Sequence, residues 1–414
     1  MFVQGEYEGV GHATRTIHKG IRSTSADFIR HYEKTNLTVK ASVYVDRIIL
    51  EHHDVNSYKA VGVEAYADTN GQPIIIKARK EIIVSAGVYN SPLLLMHSGI
   101  GPAEHLIEMG IHCKVNLPDV EKNLQDHLIV HMPYQIKDVN FTLDRFMYWY
   151  PDSLAVATKQ WQDTKTGPMV TIPFGPFSLK RIDKTTQDPV WVAAKAEQQN
   201  IRPSVTDPTG QWPNQPHIEL WTTERYFGVI DFLKPGQLIH GLPCSLAEGE
   251  AAITLLVFLC GLRGRGTVRL SSKDPTSKPI IDHAYLEDEL DVAVFAESCR
   301  IGHEVITNGR GTKDIVIGPW PTTISYPTDL AGWKQHIRNN AGTCFHPSGT
   351  CKIAPDIDPM DVADNRLRMR NIEGLRVADV SILSLITNSH TQVPAYAIGE
   401  KVAHMILQDA VVEN

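Results

Sequence analysis

Cysteine is scarce in this sequence, with six in 414 residues and no CxxC pair. Cys113, Cys244, Cys260, Cys299, Cys344 and Cys351 therefore describe no disulfide scaffold. The stretch from Cys344 to Cys351 encloses His346, but its spacing is not that of a zinc site and no second ligand pair follows, so no metal is expected. Long apolar runs are missing too. The longest, residues 251–260 continued by Gly261 and Leu262, falls short of the ~18 residues of a membrane span and reads as a buried strand. Positive charge is not in excess: 40 Lys and Arg stand against 47 Asp and Glu, for a net charge of −7. That balance argues against a general nucleic-acid binder, which needs a basic face. No internal repeat or low-complexity tract is present. Residues 1–9 carry acids and lack the basic head and apolar run of a signal peptide. The compartment stays open. Residues 36–38 and 140–142 are glycosylation sequons of a kind common by chance.

What is present is a large globular chain. Its length suggests two or three domains, and 42% apolar residues suffice for a sizeable core. Residues 36–50 alternate as a strand, with Val39, Ala41, Val43 and Val45 on one face. Residues 61–66 and 74–76 read as strands around a turn at Asn70 and Gly71. Residues 80–87 form a short apolar strand, followed by a helix with Ser91 as N-cap and Pro92 as first helical residue, ending at Gly99. Such strand–loop–helix units bind ligands at the carboxyl ends of their strands. Residues 128–216 show weak periodicity and read as loops. Residues 217–227, 252–260 and 266–272 read as strands, close enough in sequence to favour an antiparallel sheet. A helix is predicted over 287–307, a strand over 375–380, and a final helix opened by Pro394.

Four segments carry chemistry: 87–102 (GVYNSPLLLMHSGIGP), 123–127 (NLQDH), 345–351 (FHPSGTC), and 375–382 (LRVADVSI) followed by 388–400 (NSHTQVPAYAIGE). In this order they resemble the glucose–methanol–choline (GMC) oxidoreductase family of flavoenzymes. The resemblance implies FAD as cofactor and an α/β plus α+β fold: a truncated Rossmann-like FAD-binding layer with an antiparallel-sheet substrate domain. It divides the chain into 1–127 (the remainder of the FAD-binding domain), 128–335 (substrate binding) and 336–414 (return to the FAD-binding domain).

The resemblance also implies roles for particular residues. His346 is the catalytic base: alcohol oxidation removes a hydroxyl proton while hydride moves to the flavin, and imidazole titrates near working pH. The plainer reading, a structural loop histidine, is outweighed by the matching flanks. His390 hydrogen-bonds the substrate oxygen, or caps the last helix, or does both. That helix N-terminus carries partial positive charge and is expected to face the flavin's pyrimidine edge. Thr391 and Val393, beside it, are placed among the cofactor-binding residues. So are Ala378 and Asp379 at a strand end, and Val45, whose backbone would meet the adenine. Phe345 lines the substrate space or packs in a core. Trp221 and Tyr226 read more readily as core. The expected partners are a small alcohol and an acceptor such as oxygen or a quinone.

The chain departs from the family in carrying no GxGxxG after a strand. Val88 stands where a small residue is usual, and Asp119 and Glu121 stand where glycines are usual. Without the glycine loop the polypeptide is expected to bind flavin poorly and to leave an apolar sheet edge open. Two alternatives stay beside the redox reading: a lyase or cyclase on the same fold, and a truncated, non-catalytic fragment.

Overall fold

The computed structural model describes residues 8–412, except 13, 31, 33–35, 56, 68–70, 171–173, 202, 205–206, 228–245 and 355–361. The chain forms two compact units. The first contains residues 1–35, 127–263 and 286–344; the second contains 36–126, 264–285 and 345–414. The fold class is mixed α/β with antiparallel sheets, as expected. Among the described residues no helix is long and apolar enough to cross a membrane.

The first unit is built on an antiparallel sheet. Its strands run in the order Gly9–His12, Phe174–Lys180, Ile218–Thr223, Ala252–Leu259, Leu128–Ile136 and Val316–Pro319. Ala252–Leu259 is buried at nearly every position. The helix Glu289–Asn308 packs closely over it: a Cβ on Gly302 would lie 2.8 Å from a Leu255 methyl. Burial on both faces explains the apolar run, interrupted only by Thr254. Asp288 caps this helix, accepting from the Leu290 and Asp291 N–H groups.

Two readings of this region are corrected. Residues 128–216 are not mainly loops. They hold the strands Leu128–Ile136 and Phe174–Lys180 and the helices Ser153–Thr164 and Pro189–Ile201. The first strand is buried on both faces, so it shows no alternation, and each helix buries too few residues to show a stripe. Residues 266–272 do not join the large sheet. Thr267–Arg269 pairs with Ile280–Asp282 in the second unit, around a local turn tightened by Asp274, which accepts from the Thr276 N–H and hydroxyl.

In the second unit, strand β1 (Tyr44–Asp54) pairs antiparallel with β2 (Ser57–Tyr66). Strand β1 begins later than the alternation suggests. Ser42 has φ +56°, outside the extended region, so Val39, Ala41 and Val43 precede the strand. Asn70 of the expected turn lies outside the described residues. Strand β3 (Ile82–Val84) pairs parallel with β4 (Leu375–Val377), Leu375 opposite Ile82. Helix α1 (Gly87–His97) follows β3, and α2 (Gln392–Val412) closes the chain. The core between these elements includes Ile48, Leu95, Met96, Ile100, Leu106 and Val377.

Helix α1 starts four residues before the predicted N-cap. Pro92 lies inside it, where the ring cannot supply the N–H that Val88 O needs. The Thr350 hydroxyl supplies that bond instead, at 2.6 Å. Ser91, freed from capping, accepts from the Ala86 N–H. Pro394 is the third residue of α2, where a missing N–H is harmless.

Candidate functional site

The second unit gathers its chemistry at the carboxyl ends of β3 and β4. The Ala378 N–H donates to Val84 O at 2.8 Å, and the Ser85 hydroxyl donates to Ala378 O at 2.9 Å. One residue on, the Asp379 carboxylate accepts from Gly87 N–H (3.0 Å), the Ser91 hydroxyl (2.6 Å) and Ser381 N–H (2.8 Å). Its side chain thus ties the strand end to the start of α1, the turn-capping role that a strand-end carboxylate suggests. Space opens beside this tie. Gly87 has φ +85°, and a Cβ there would meet nothing within 4 Å.

His346 and His390 come together here, although 43 residues of chain lie between them. Their ring centroids are 4.9 Å apart, nearly perpendicular at 86°. His346 is only 8% exposed. Burial, and then the neighbouring His390, push its pKa down to about 4. The imidazole is therefore neutral at pH 7 and free to take a proton. The backbone N–H of His346 donates to Asp126 Oδ1 at 2.8 Å. Phe345 just before it has φ +61° and is 67% exposed, so it is not a core residue. His390 stands two residues before α2. Thr391 O accepts the Ala395 N–H at 3.0 Å, and Val393 in the first turn is 73% exposed.

The remaining candidates lie elsewhere. Val45 is on β1, and its neighbours Tyr44 and Asp46, with Tyr66, Pro275 and Thr276, line a cavity of about 600 Å³. Trp221 and Tyr226 are buried in clusters of the first unit, the packing role. The sequence reading assigned no role to Asn123, Gln125, Asp126 or Tyr285. In the structure Asp126 binds the backbone of His346, and Tyr285 donates to Asp126 at 2.5 Å. The 123–127 motif was itself the signal, but nothing in it says which loop it touches. His127, its last residue, makes a 2.8 Å hydrogen bond to Cys260 O.

Residues 2–129 and 263–399 match the two parts of the GMC oxidoreductase pattern. The chain is 30% identical over 410 residues to an oxygen-dependent choline dehydrogenase of Rhizobium meliloti, covering 97% of this chain and 64% of that protein. Among solved structures it resembles a variant formate oxidase of Aspergillus oryzae, studied for its FAD modification, at TM-score 0.82 and 28% identity. That match covers 95% of this chain and 64% of the other. It also resembles a pyridoxine 4-oxidase from Mesorbium loti, at TM-score 0.68 and 25% identity over 97% of this chain and 64% of that one. The chain thus spans about 64% of the length of the relatives it matches. By its motifs, its fold and its sequence, the chain belongs to the GMC oxidoreductase family.

Proposed function

We propose that this chain supplies the catalytic and flavin-ring residues of an FAD-dependent oxidoreductase acting on the CH–OH group of a small alcohol. The observation that carries this reading is the meeting of two imidazoles, His346 and His390, beside the N-terminus of a 21-residue helix. The residues around them suit the isoalloxazine end of FAD. They offer an exposed apolar Val393 and a helix N-terminus whose positive end favours negative charge, and the same unit has open space at Gly87. Thr391 and Val393 would hold that end, Ala378 and Asp379 would lie along the ribityl–pyrophosphate portion, and Val45 would meet the adenine. When bound, FAD supplies the hydride acceptor.

The protein's part is proton control and orientation. A ring nitrogen of neutral His346 takes the hydroxyl proton of the alcohol. His390 donates a hydrogen bond to the same oxygen and holds the alkoxide that results. Phe345, exposed next to His346, borders the substrate. Residues 128–335 would form the substrate-binding domain, and the electron acceptor would be oxygen or a quinone-like molecule.

The test is protein reconstituted with FAD and an alcohol panel read with an artificial electron acceptor. An active alcohol bleaches the flavin anaerobically, which a lyase or cyclase would not require. His346→Gln should lower kcat/KM by ~10²–10⁴, and His390→Ala by ~10²–10³. Unchanged rates in His346→Gln would remove the base from this reading. Flavin that dithionite reduces but no alcohol reduces would remove the activity.

A further inference from the structure

The two histidine loops are held by a third segment, residues 123–126. It is deeply buried, with Gln125 1% and Asp126 3% exposed. Asp126 takes the His346 N–H on one carboxylate oxygen and the Tyr285 hydroxyl on the other. Gln125 serves both loops. Its backbone N–H and C=O pair with Ser348, two residues past His346, at 2.9 and 2.8 Å. Its side-chain Nε2 donates to Ser384 O at 3.2 Å, and its Oε1 accepts the Ile386 N–H at 3.1 Å, on the stretch leading to His390. Asn123 repeats the pattern, donating to Gly349 O at 3.1 Å and to Ser384 O at 3.2 Å.

We propose that Asn123, Gln125 and Asp126 are positioning residues that set the spacing of the His346 and His390 imidazoles, with Gln125 coupling the two loops. The inference rests on the reading of those histidines as the reacting pair, and goes beyond it in naming what aligns them.

Three physical points support it. First, Phe345 holds a left-handed conformation uncommon for a side-chain-bearing residue, and such a conformation persists only where its surroundings impose it. The hydrogen bond from the very next N–H to a buried carboxylate is such a constraint. Second, Gly349 has φ +96°, and a Cβ there would lie 2.5 Å from Asn123 O, so the loop is drawn against the segment as closely as glycine permits. Third, one primary amide offers a donor and an acceptor in fixed relation, so Gln125 holds Ser384 and Ile386 at a set distance from Ser348. An apolar side chain would keep the volume and lose the register.

The experiment is NMR on the full chain with labelled histidine, His346→Gln and His390→Gln serving to assign the resonances. The wild-type protein should show a ring-to-ring NOE between His346 and His390, whose centroids are 4.9 Å apart. In Gln125→Leu that cross-peak should be lost. The His346 titration midpoint should also move up from about 4 by the smaller, His390-borne part of its depression, while burial continues to hold it below the ordinary imidazole value. Asp126→Asn keeps an acceptor for the His346 N–H and should keep the cross-peak. If Gln125→Leu does not fold, Asn123→Ala is read in the same way. A folded Gln125→Leu, or Asn123→Ala, with cross-peak and titration unchanged would overturn the proposal. The readout needs neither flavin nor turnover. Should the reconstituted protein oxidise no alcohol while the cross-peak behaves as expected, the functional reading fails and the positioning role stands.

Discussion

At Asp207 several donors compete with burial for one carboxylate. Burial alone would raise its pKa, but hydrogen bonds from His217 (2.6 Å) and from the Thr209 hydroxyl and N–H (2.6 and 2.9 Å) outweigh it and bring it to about 2. His217 Nδ1 accepts the Ile182 N–H at 3.0 Å, which leaves its Nε2 to donate to Asp207. Arg181 reaches the same carboxylate oxygen. A carboxyl whose folded pKa lies below its unfolded value near ~3.9 adds stability above that value, and the contribution fades as pH falls through the folded pKa. Its size is on the order of 2 kcal/mol. Urea unfolding of wild type and Asp207→Asn should therefore show a gap that is full at pH 6 and shrinks between about pH 4 and 2. A gap equally wide at pH 3 and pH 6 would mean the charge is not its source. The direction is the same at His346, whose folded pKa also lies below its ordinary value, and only the pH window is higher. Burial keeps that ring neutral, so folding loses stability only as acid protonates the unfolded chain first.

At the scale of an element, helix α1 shows how a rule of local structure is met by a distant residue. Pro92 breaks the helix's hydrogen-bond ladder, and the Thr350 hydroxyl mends it at Val88 O. Thr350→Val should cost about 1–3 kcal/mol, because it leaves a buried carbonyl without its donor. Pro92→Ala restores a helical N–H at that place, so the cost of Thr350→Val should be smaller in the Pro92→Ala background. A double-mutant cycle measured in urea checks this, and additive effects would show that the two groups are independent. The same element marks a limit of sequence reading. Ser91 and Pro92 have the residue types of a helix start, and only the third dimension shows that Gly87 begins the helix and that Ser91 holds Asp379. Periodicity was more legible in the helix Glu289–Asn308, although its residues 290–299 are buried all round and Val305 is exposed, and Ala252–Leu259 was legible by its apolar run, interrupted only by Thr254. It was least legible in Leu128–Ile136, where burial on both faces removes alternation.

For the whole molecule, β3 and β4 form a parallel sheet of two strands among the described residues, with Ile83 exposed. These 414 residues hold no GxGxxG loop, the element that cradles a pyrophosphate, so this polypeptide by itself offers only the other part of a flavin site. Purified protein of this sequence should therefore carry well under one flavin per chain. Flavin absorbance at one cofactor per chain would overturn that expectation.

The sequence by itself determined the family and the cofactor class, and it singled out His346 and His390 as candidates. Those depend on residue types in short segments, and such segments keep their spacing along the chain. It could not show that residues 123–126 bind both histidine loops, or that Thr350 completes a helix more than 250 positions away. Those are contacts between distant stretches of backbone. They carry no periodicity or local propensity, and they exist only once packing has brought the stretches within hydrogen-bonding distance.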